Sequence, residues 1–329
     1  MFKWEKKGII FNPLTQSKQE WMYEFAQAPC ILVKEDFIRV YFNTREKIDE
    51  NGQYKSFVAF IDVDKKDLTI IKNVSKSPLL QLGDLGTFDE FGTYPFSIYD
   101  DTENNKVIAY YGGWNRCESV PFDVSIGMAI SNDGGNTFVK CGNGPILSTT
   151  PYEPFIISGP KIRKFNGKFY LFYIAGSAWV EKDSKTEPVY KIRMAVSEDG
   201  VKWEKYNENL IVDKLHKDEA QASPDVFYKE GYYHMFFCYR DSHDYRTNSS
   251  NAYRIGYAYS KDLLSWTRRD DLAGIDVSME GFDTEMVAYP HVFEVEHKIY
   301  MFYLGNDVGR YGFGMAELVD LNLDFLRSS

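Results

Sequence analysis

Residues 159–177 read "GPKIRKFNGKFYLFYIAGS": an Xaa-Pro start, an apolar run, a tight Asn-Gly turn and a second run rich in aromatics. Two such runs joined by Asn-Gly form the pattern of a β-hairpin. Four further stretches follow the same plan. They are "APCILVKEDFIRVYFNTR" from Ala28, "YPFSIYDDTENNKVIAYYGGWN" from Tyr94, "SPDVFYKEGYYHMFFCYRD" from Ser223 and "YPHVFEVEHKIYMFYLGND" from Tyr289. The five starts stand 66, 65, 64 and 66 residues apart. A fixed period of this kind marks a repeated supersecondary unit.

Each hairpin is followed by a third strand-like run: "SFVAFIDVD", "VSIGMAISNDG", "YKIRMAVSEDG", "YRIGYAYSKDL" and "GFGMAEL". A polar turn and a short fourth run come next, carrying Phe138, Trp203 or Trp266. The turn "SNDGGNTF" (131–138) and its looser siblings "SEDGVKW" and "SKDLLSW" read as hairpin turns without chemistry of their own. Four antiparallel strands per repeat predict an all-β fold, a five-bladed β-propeller with blades starting near 28, 94, 159, 223 and 289. The fifth repeat lacks its last strand. The N-terminal "FKWEKKGIIF" (Phe2–Phe11) aligns with "VKWEKYNENLIV" (Val201–Val212) and is expected to complete it, which removes the open edges of the ring. One domain, 1–329, accounts for the chain.

Composition bounds the function. The aromatic share of 16% favours strands. A formal charge of −10 excludes a nucleic-acid backbone as partner. No apolar run of membrane-spanning length occurs, and the start "MFKWEKKGIIFNPLTQ" lacks the apolar core of a secretory signal, so a cytoplasmic location is expected. Cys30, Cys117, Cys141 and Cys238 form no CxxC pair and read as thiols in a reducing compartment. No His spacing suits a metal, and no cofactor is implied.

In a four-stranded blade the start of strand one and the loop from strand two to strand three lie on one face. The loops on that face, 44–56, 113–124, 176–189 and 240–252, are long and chemically rich. So are the lead-ins to each proline: "EFAQAP", "EFGTYP", "FIISGP", "EAQASP" and "EMVAYP". Glu24, Glu90, Glu219 and Glu285 each stand five residues before a proline, and Glu153 stands seven before Pro160. Asp89 and Asp283 add carboxylates nearby. Two readings are open. A repeated acid can cap a repeated turn, or several acids can ring one pore and meet hydroxyls or a reacting centre. On the second, Glu153 and Glu219 are candidate acid and base, with Glu285 and Asp89 next. Candidate substrate-binding residues are Glu24, Gln27, Arg45, Glu90, Trp114, Asp225, Arg240, Asp283, Asn306 and Arg310, since aromatic faces and planar polar groups suit a sugar. Cys30, Phe96, Lys161, Asp225 and His291 each follow a proline, and of these Asp225, Lys161 and His291 are expected to line or border the central channel, His291 as a satisfied core histidine.

The five-fold period, the Xaa-Pro starts and phrases such as "GKFYLFYIAGS" and "KIYMFYLGN" resemble the five-bladed propeller superfamily of glycoside hydrolase families 43 and 32. That resemblance implies a carboxylate pair around an oxocarbenium-like transition state. The familiar motifs are missing: Ala28 stands where Asp-Pro is usual, and Ser158 stands where Glu-Gly-Pro is usual. A glycoside hydrolase-like enzyme with displaced carboxylates is one reading. The other is non-hydrolytic binding or modification of a sugar, nucleotide sugar or sugar phosphate in surface-glycan assembly. A scaffold offering its face to protein partners is the third.

Overall fold

The computed structural model describes residues 1–182 and 185–328. Strand β1 (Phe2–Phe11) runs first, and its partner is the last strand of the chain. Then come β2 (Glu24–Val33), β3 (Phe37–Arg45), β4 (Ser56–Asp64) and β5 (Ile71–Val74), an antiparallel meander. A second meander follows: β6 (Gly92–Asp101), β7 (Lys106–Arg116), β8 (Phe122–Ser131) and β9 (Val139–Lys140). One parallel bridge, Ser56 to Gly92, ties these two into a larger sheet. A four-stranded sheet holds β10 (Ile157–Phe165), β11 (Lys168–Lys182), β12 (Lys185–Ser197) and β13 (Glu204–Lys205). Another holds β14 (Glu219–Lys229), β15 (Tyr232–Asp241), β16 (Arg254–Ser260) and β17 (Thr267–Arg268). The last orders β18 (Ala288–Val295), β19 (Lys298–Leu304), β20 (Phe313–Leu321) and then β1. The N-terminal strand thus completes the C-terminal sheet, pairing Phe2 with Leu321 and Phe11 with Phe313.

Local chemistry sets these strands. The β10–β11, β14–β15 and β18–β19 hairpins turn on Asn166-Gly167, Glu230-Gly231 and Glu296-His297, every one of them at positive φ. Two successive left-handed residues make the turn whose twist matches that of the flanking strands. The Ser-x-Asp turns are closed by their own side chains. Asp133 accepts from the amides of Asn136 (2.9 Å) and Thr137 (3.0 Å), and Asp199 and Asp262 repeat the pattern. These turns are structural, as their sequence suggests.

The first strands of the sheets pack in a ring: β2 on β6, β6 on β10, β10 on β14, β14 on β18, and β18 back on β2. Apolar clusters fill the gaps between successive sheets. Tyr41, Phe60, Phe96 and Phe138 fill one such gap, and Phe172, Met194, Met235 and Phe237 another. Last meets first through Phe11, Phe42, Phe302 and Phe313, with ring centroids 5.1–6.4 Å apart. Each of these four rings, fully buried, contributes about 1.5–3 kcal/mol.

Every Xaa-Pro start is a register shift in its ladder. The residue before the proline is left-handed at Ala28, Gly159, Ser223 and Tyr289, with φ of 50, 61, 52 and 50°. Glycine takes this conformation freely, while the other three store backbone strain. The bulge interrupts the simple alternation expected around each proline and turns the residue after it toward the axis. There these residues meet: Cys30 Sγ contacts the Phe96 carbonyl, the Ile31 amide donates to His291 Nε2 at 3.2 Å, and the Val292 amide donates to Asp225 at 2.6 Å. One expected loop proves to be sheet. Most of 176–189 extends β11 and β12 into a long arm, its register carried to Lys182 opposite Lys185.

Candidate functional site

A cavity of about 550 Å³ opens over the inner strands, lined by residues from all five groups of strands. Ala28 and Arg45 come from β2 and β3, Trp114 from β7, and Lys161 and Tyr190 from β10 and β12. Ser223 and Arg240 come from β14 and β15, and Tyr289 from β18. Arg310 and Asp307 line the cavity from the turn after β19. Its volume suits a small ligand rather than a lone ion.

The lead-in acids do not ring this cavity, and the reason is geometric. Asp89, Glu153, Glu219 and Asp283 are each at most 2% exposed, and each is held inside its own sheet. Asp89 accepts from the Tyr111 hydroxyl (2.9 Å) and pairs with Lys140 (2.6 Å). Glu153 accepts from the Tyr173 hydroxyl (2.8 Å) and Arg193 (3.2 Å) and pairs with Lys205. Asp283 accepts from the Tyr303 hydroxyl (3.1 Å) and pairs with Lys6 (2.6 Å). Glu219 pairs with Arg268 (2.7 Å) and accepts from Gln221 and from the amides of Lys214 and Leu215, all at 2.9 Å. Burial works against the Glu219 charge, but the Arg268 hydrogen bond prevails and holds its pKa below the usual glutamate value. None of the four lies on the cavity wall.

Lys140, Lys205, Arg268 and Lys6 all sit on the fourth strand of a sheet, β9, β13, β17 and β1. Each follows an aromatic residue by two: Phe138-Val-Lys140, Trp203-Glu-Lys205, Trp266-Thr-Arg268 and Trp4-Glu-Lys6. That aromatic-x-cation signature was legible in the chain and names the partner of each lead-in acid. It also marks β1 as a true fourth strand.

The other expected residues divide. Gln27, Arg45, Trp114, Arg240 and Arg310 line the cavity. Glu24 stands behind Arg310 and pairs with it at 2.7 Å. Asp225 lies beneath the floor, paired with Arg163. Glu90, Glu285 and Asn306 are off the wall. Glu90 caps the Gly86 amide (2.8 Å), and the Asn306 side chain accepts from the amide of exposed Glu285 (2.8 Å). His291 is a neutral core histidine. Burial pushes its pKa down to about 4, against the pull of Asp225. Residues outside the expected set complete the wall: Arg116 on β7, Glu187 and Tyr190 on the long arm, Arg246 and Tyr253 before β16, and Asp307.

The wall is strongly cationic. Among the described residues of the lining, Arg45, Arg116, Lys161, Arg240, Arg246 and Arg310 stand with two carboxylates, Glu187 and Asp307. Arg116 pairs with Asp49 (3.1 Å) and Arg246 with Glu187 (2.9 Å). Arg240 lies over the Tyr245 ring (3.9 Å) and donates to the hydroxyls of Tyr253 (3.2 Å) and Tyr190 (3.4 Å). Burial opposes its charge, yet Tyr190, Tyr253, Tyr245 and Glu187 hold its pKa well above the ordinary value. Arg45 differs. Its guanidinium sits among Phe25 (4.4 Å), Tyr54 (5.1 Å), Trp114 (5.1 Å) and Tyr94 (5.9 Å). It donates to Gln27 (3.1 Å) but has no carboxylate among the described residues, and its Nε has no hydrogen-bond partner there. Burial pulls its pKa below the ordinary arginine value. The far face of Trp114 stacks on Phe122 at 5.3 Å.

No protein-family model matches the chain. It is similar to solved structures of sugar-cleaving proteins. One, a glycoside hydrolase, aligns with a TM-score of 0.74 at 16% identity, over 98% of this chain and 93% of the other. A thermostable family-43 glycoside hydrolase aligns with a TM-score of 0.64 at 14% identity, over 90% of each. These likenesses establish the fold. In sequence, β-1,2-mannobiose phosphorylase of Thermoanaerobacter sp. (strain X514) is 28% identical over 133 residues, 40% of each chain. The uncharacterized protein Rv1502 of Mycobacterium tuberculosis (strain ATCC 25618 / H37Rv) is 32% identical over 316 residues, 96% of this chain and 99% of its own length. The chain thus carries the fold of the propeller glycosidases and belongs to the family of Rv1502.

Proposed function

We propose that this protein is a single-domain, five-bladed β-propeller that binds a phosphorylated sugar in its axial cavity. The observation that carries the reading is Arg45, a guanidinium in an aromatic cage on the wall with no carboxylate among the described residues to neutralise it. A half-buried cation held among aromatic rings without a counter-charge is costly. A ligand phosphate supplies the missing charge, and the planar guanidinium matches its oxygens. The surplus of cations on the wall supports the same reading in a chain of net charge −10. Trp114, Tyr54 and Tyr94 offer ring surface for the sugar. Four free thiols, two of them exposed, suit the cytoplasm, where activated and phosphorylated sugars are handled.

Thermal shift and calorimetry with aldose phosphates and their unphosphorylated parents test the proposal. A phosphorylated ligand at a hundred times its dissociation constant stabilises by about 2.7 kcal/mol. Arg45→Met weakens it about ten-fold or more, the effect of losing a charge-assisted hydrogen bond, and leaves a neutral sugar unaffected. Neutral oligosaccharides that bind as tightly as their phosphates, indifferent to Arg45, sink the idea.

Glycoside hydrolysis is the second reading, favoured by the fold shared with glycoside hydrolases. Since Asp89, Glu153 and Glu219 are locked in their sheets and Glu285 is off the wall, its carboxylates would be Glu187 and Asp307. Turnover of aryl glycosides that disappears in both Glu187→Gln and Asp307→Asn would favour it over simple binding.

A further inference from the structure

Two lysines of the described chain are buried, and they are treated differently. Lys191 donates to Asp213 (2.6 Å), the Lys217 carbonyl (3.2 Å) and the Glu219 carbonyl (2.7 Å). Lys161, 3% exposed on the cavity wall, has no hydrogen-bond partner for Nζ among the described residues. The charges around it are committed elsewhere. Asp225 is taken by Arg163, by the Val292 amide at 2.6 Å and by His291 Nδ1 at 3.4 Å. His291 uses Nε2 to accept the Ile31 amide, so its proton sits on Nδ1 and faces Asp225. The Cys30 thiol, close enough to act on the amine, contacts the Phe96 carbonyl, and burial raises its pKa to about 11. Ser223, also on the wall, has a hydroxyl with no hydrogen-bond partner among the described residues.

An amine in such a place has lost its water and gained no acceptor. Burial lowers the Lys161 pKa, an effect that Asp225 and Cys30 only partly oppose. A desolvated lysine facing a cavity is a nucleophile in waiting, because burial disfavours the charged form and with it the loss of the lone pair to a proton.

We propose that Lys161 is a carbonyl-reactive amine that forms an imine with the aldehyde carbon of an open-chain aldose phosphate. Its nitrogen lone pair makes the new C–N bond while the carbonyl π pair moves to oxygen. The two N–H protons end on that oxygen, which leaves as water. Aldehyde and amine become imine and water, and no oxidant or reductant is consumed. Ser223 stands on the same wall to exchange a proton with the departing oxygen. The ligand class rests on the phosphorylated-sugar reading, but the reactivity of the amine does not.

The test is reductive trapping. The protein is incubated with glyceraldehyde 3-phosphate or with glyceraldehyde, reduced with borohydride and mapped by peptide mass spectrometry. Lys161 is expected to be modified about ten-fold ahead of any exposed lysine, the advantage expected of an activated amine. In Lys161→Arg, with its melting temperature retained, labelling at this site vanishes and the surface pattern stays. Arg45→Met separates the two ideas. If it suppresses trapping of the phosphorylated aldehyde alone, both stand. If it changes neither probe, the anion reading falls while the imine stands. Lys161 left unmodified, or labelled no faster than surface lysines by both aldehydes, overturns the proposal whatever the sugar phosphates do in binding.

Discussion

Lys205 and Lys161 are both lysines drawn away from water, and the chain has built opposite surroundings for them. Lys205 meets Glu153, which also takes Tyr173 and Arg193, so the charge sits in a closed network inside one sheet. Lys161 stands on the cavity wall with its nearest acid already spent on an arginine, a histidine and a backbone amide. The same contrast separates Arg268, paired with Glu219, from Arg45, paired with no acid among the described residues. Charge paired with an opposite charge pins strands together. Charge left open on the cavity wall is what the proposed ligand would meet. The division tells scaffold from site without reference to any relative.

The largest effect should come from breaking a lock. Glu219→Ala leaves Arg268 with Asp270 as its one remaining acid among the described residues (3.0 Å) and the Lys214 and Leu215 amides without an acceptor. We expect a loss of about 3–5 kcal/mol, seen as a lower urea midpoint at unchanged slope. A midpoint near that of wild type would mean that the carboxylate is not the anchor its contacts indicate.

A second effect sharpens the comparison through pH, with one histidine in each region. His234, between strands, accepts from the Tyr257 hydroxyl (2.6 Å) and donates to the Lys229 carbonyl (3.1 Å), while His291 lies at the axis. Burial is the main cause that depresses both to about 4. The folded pKa lies below the unfolded one, so as pH falls the unfolded chain takes up protons first. Stability is complete above pH 6.5 and declines toward pH 4. At about 1.4 kcal/mol per unit, each histidine accounts for as much as about 3 kcal/mol. His234→Gln and His291→Gln should each flatten the urea midpoint between pH 6.5 and 4.5, before the paired carboxylates begin to titrate. Parallel wild-type and variant curves would show that neither imidazole is kept neutral.

The repeat, the hairpins and the closing strand were legible because they depend on local chemistry: Asn-Gly turns, alternating apolar runs, and an N-terminal segment that copies an internal fourth strand. The acids were misplaced for an equally physical reason. Their spacing before each proline fixes where they lie along the chain, whereas the direction they point depends on a bulge and on a partner some fifty residues away. Asp89 meets Lys140, Glu153 meets Lys205, and Asp283 meets Lys6 at the opposite end of the chain. Read together with the aromatic-x-cation step, the same acids declare themselves structural. Arg45, Trp114, Arg240 and Arg310, which stand at strand ends or in the long loops of one face, line the cavity. Glu187 lies in a segment whose sequence reads as loop and which is a strand arm, while Tyr190 opens a run that reads as a strand and carries no signal of a site.

The smallest expected effect is the most discriminating, because one substitution is made at two lysines drawn away from water. Lys205→Met deprives Glu153 of one of two cations and should cost about 2 kcal/mol, the penalty of a buried charge left under-satisfied. Lys161→Met removes an amine with no acceptor and puts a flexible apolar chain of similar length in its place. The amine was costly to bury, so the expected change is zero to about 1 kcal/mol, with the sign reversed toward stabilisation. Urea midpoints measured side by side decide it. A loss at Lys161 as large as that at Lys205 would mean that this amine also holds the fold together. The line between satisfied scaffold and waiting site would then vanish at the residue where it is drawn most sharply.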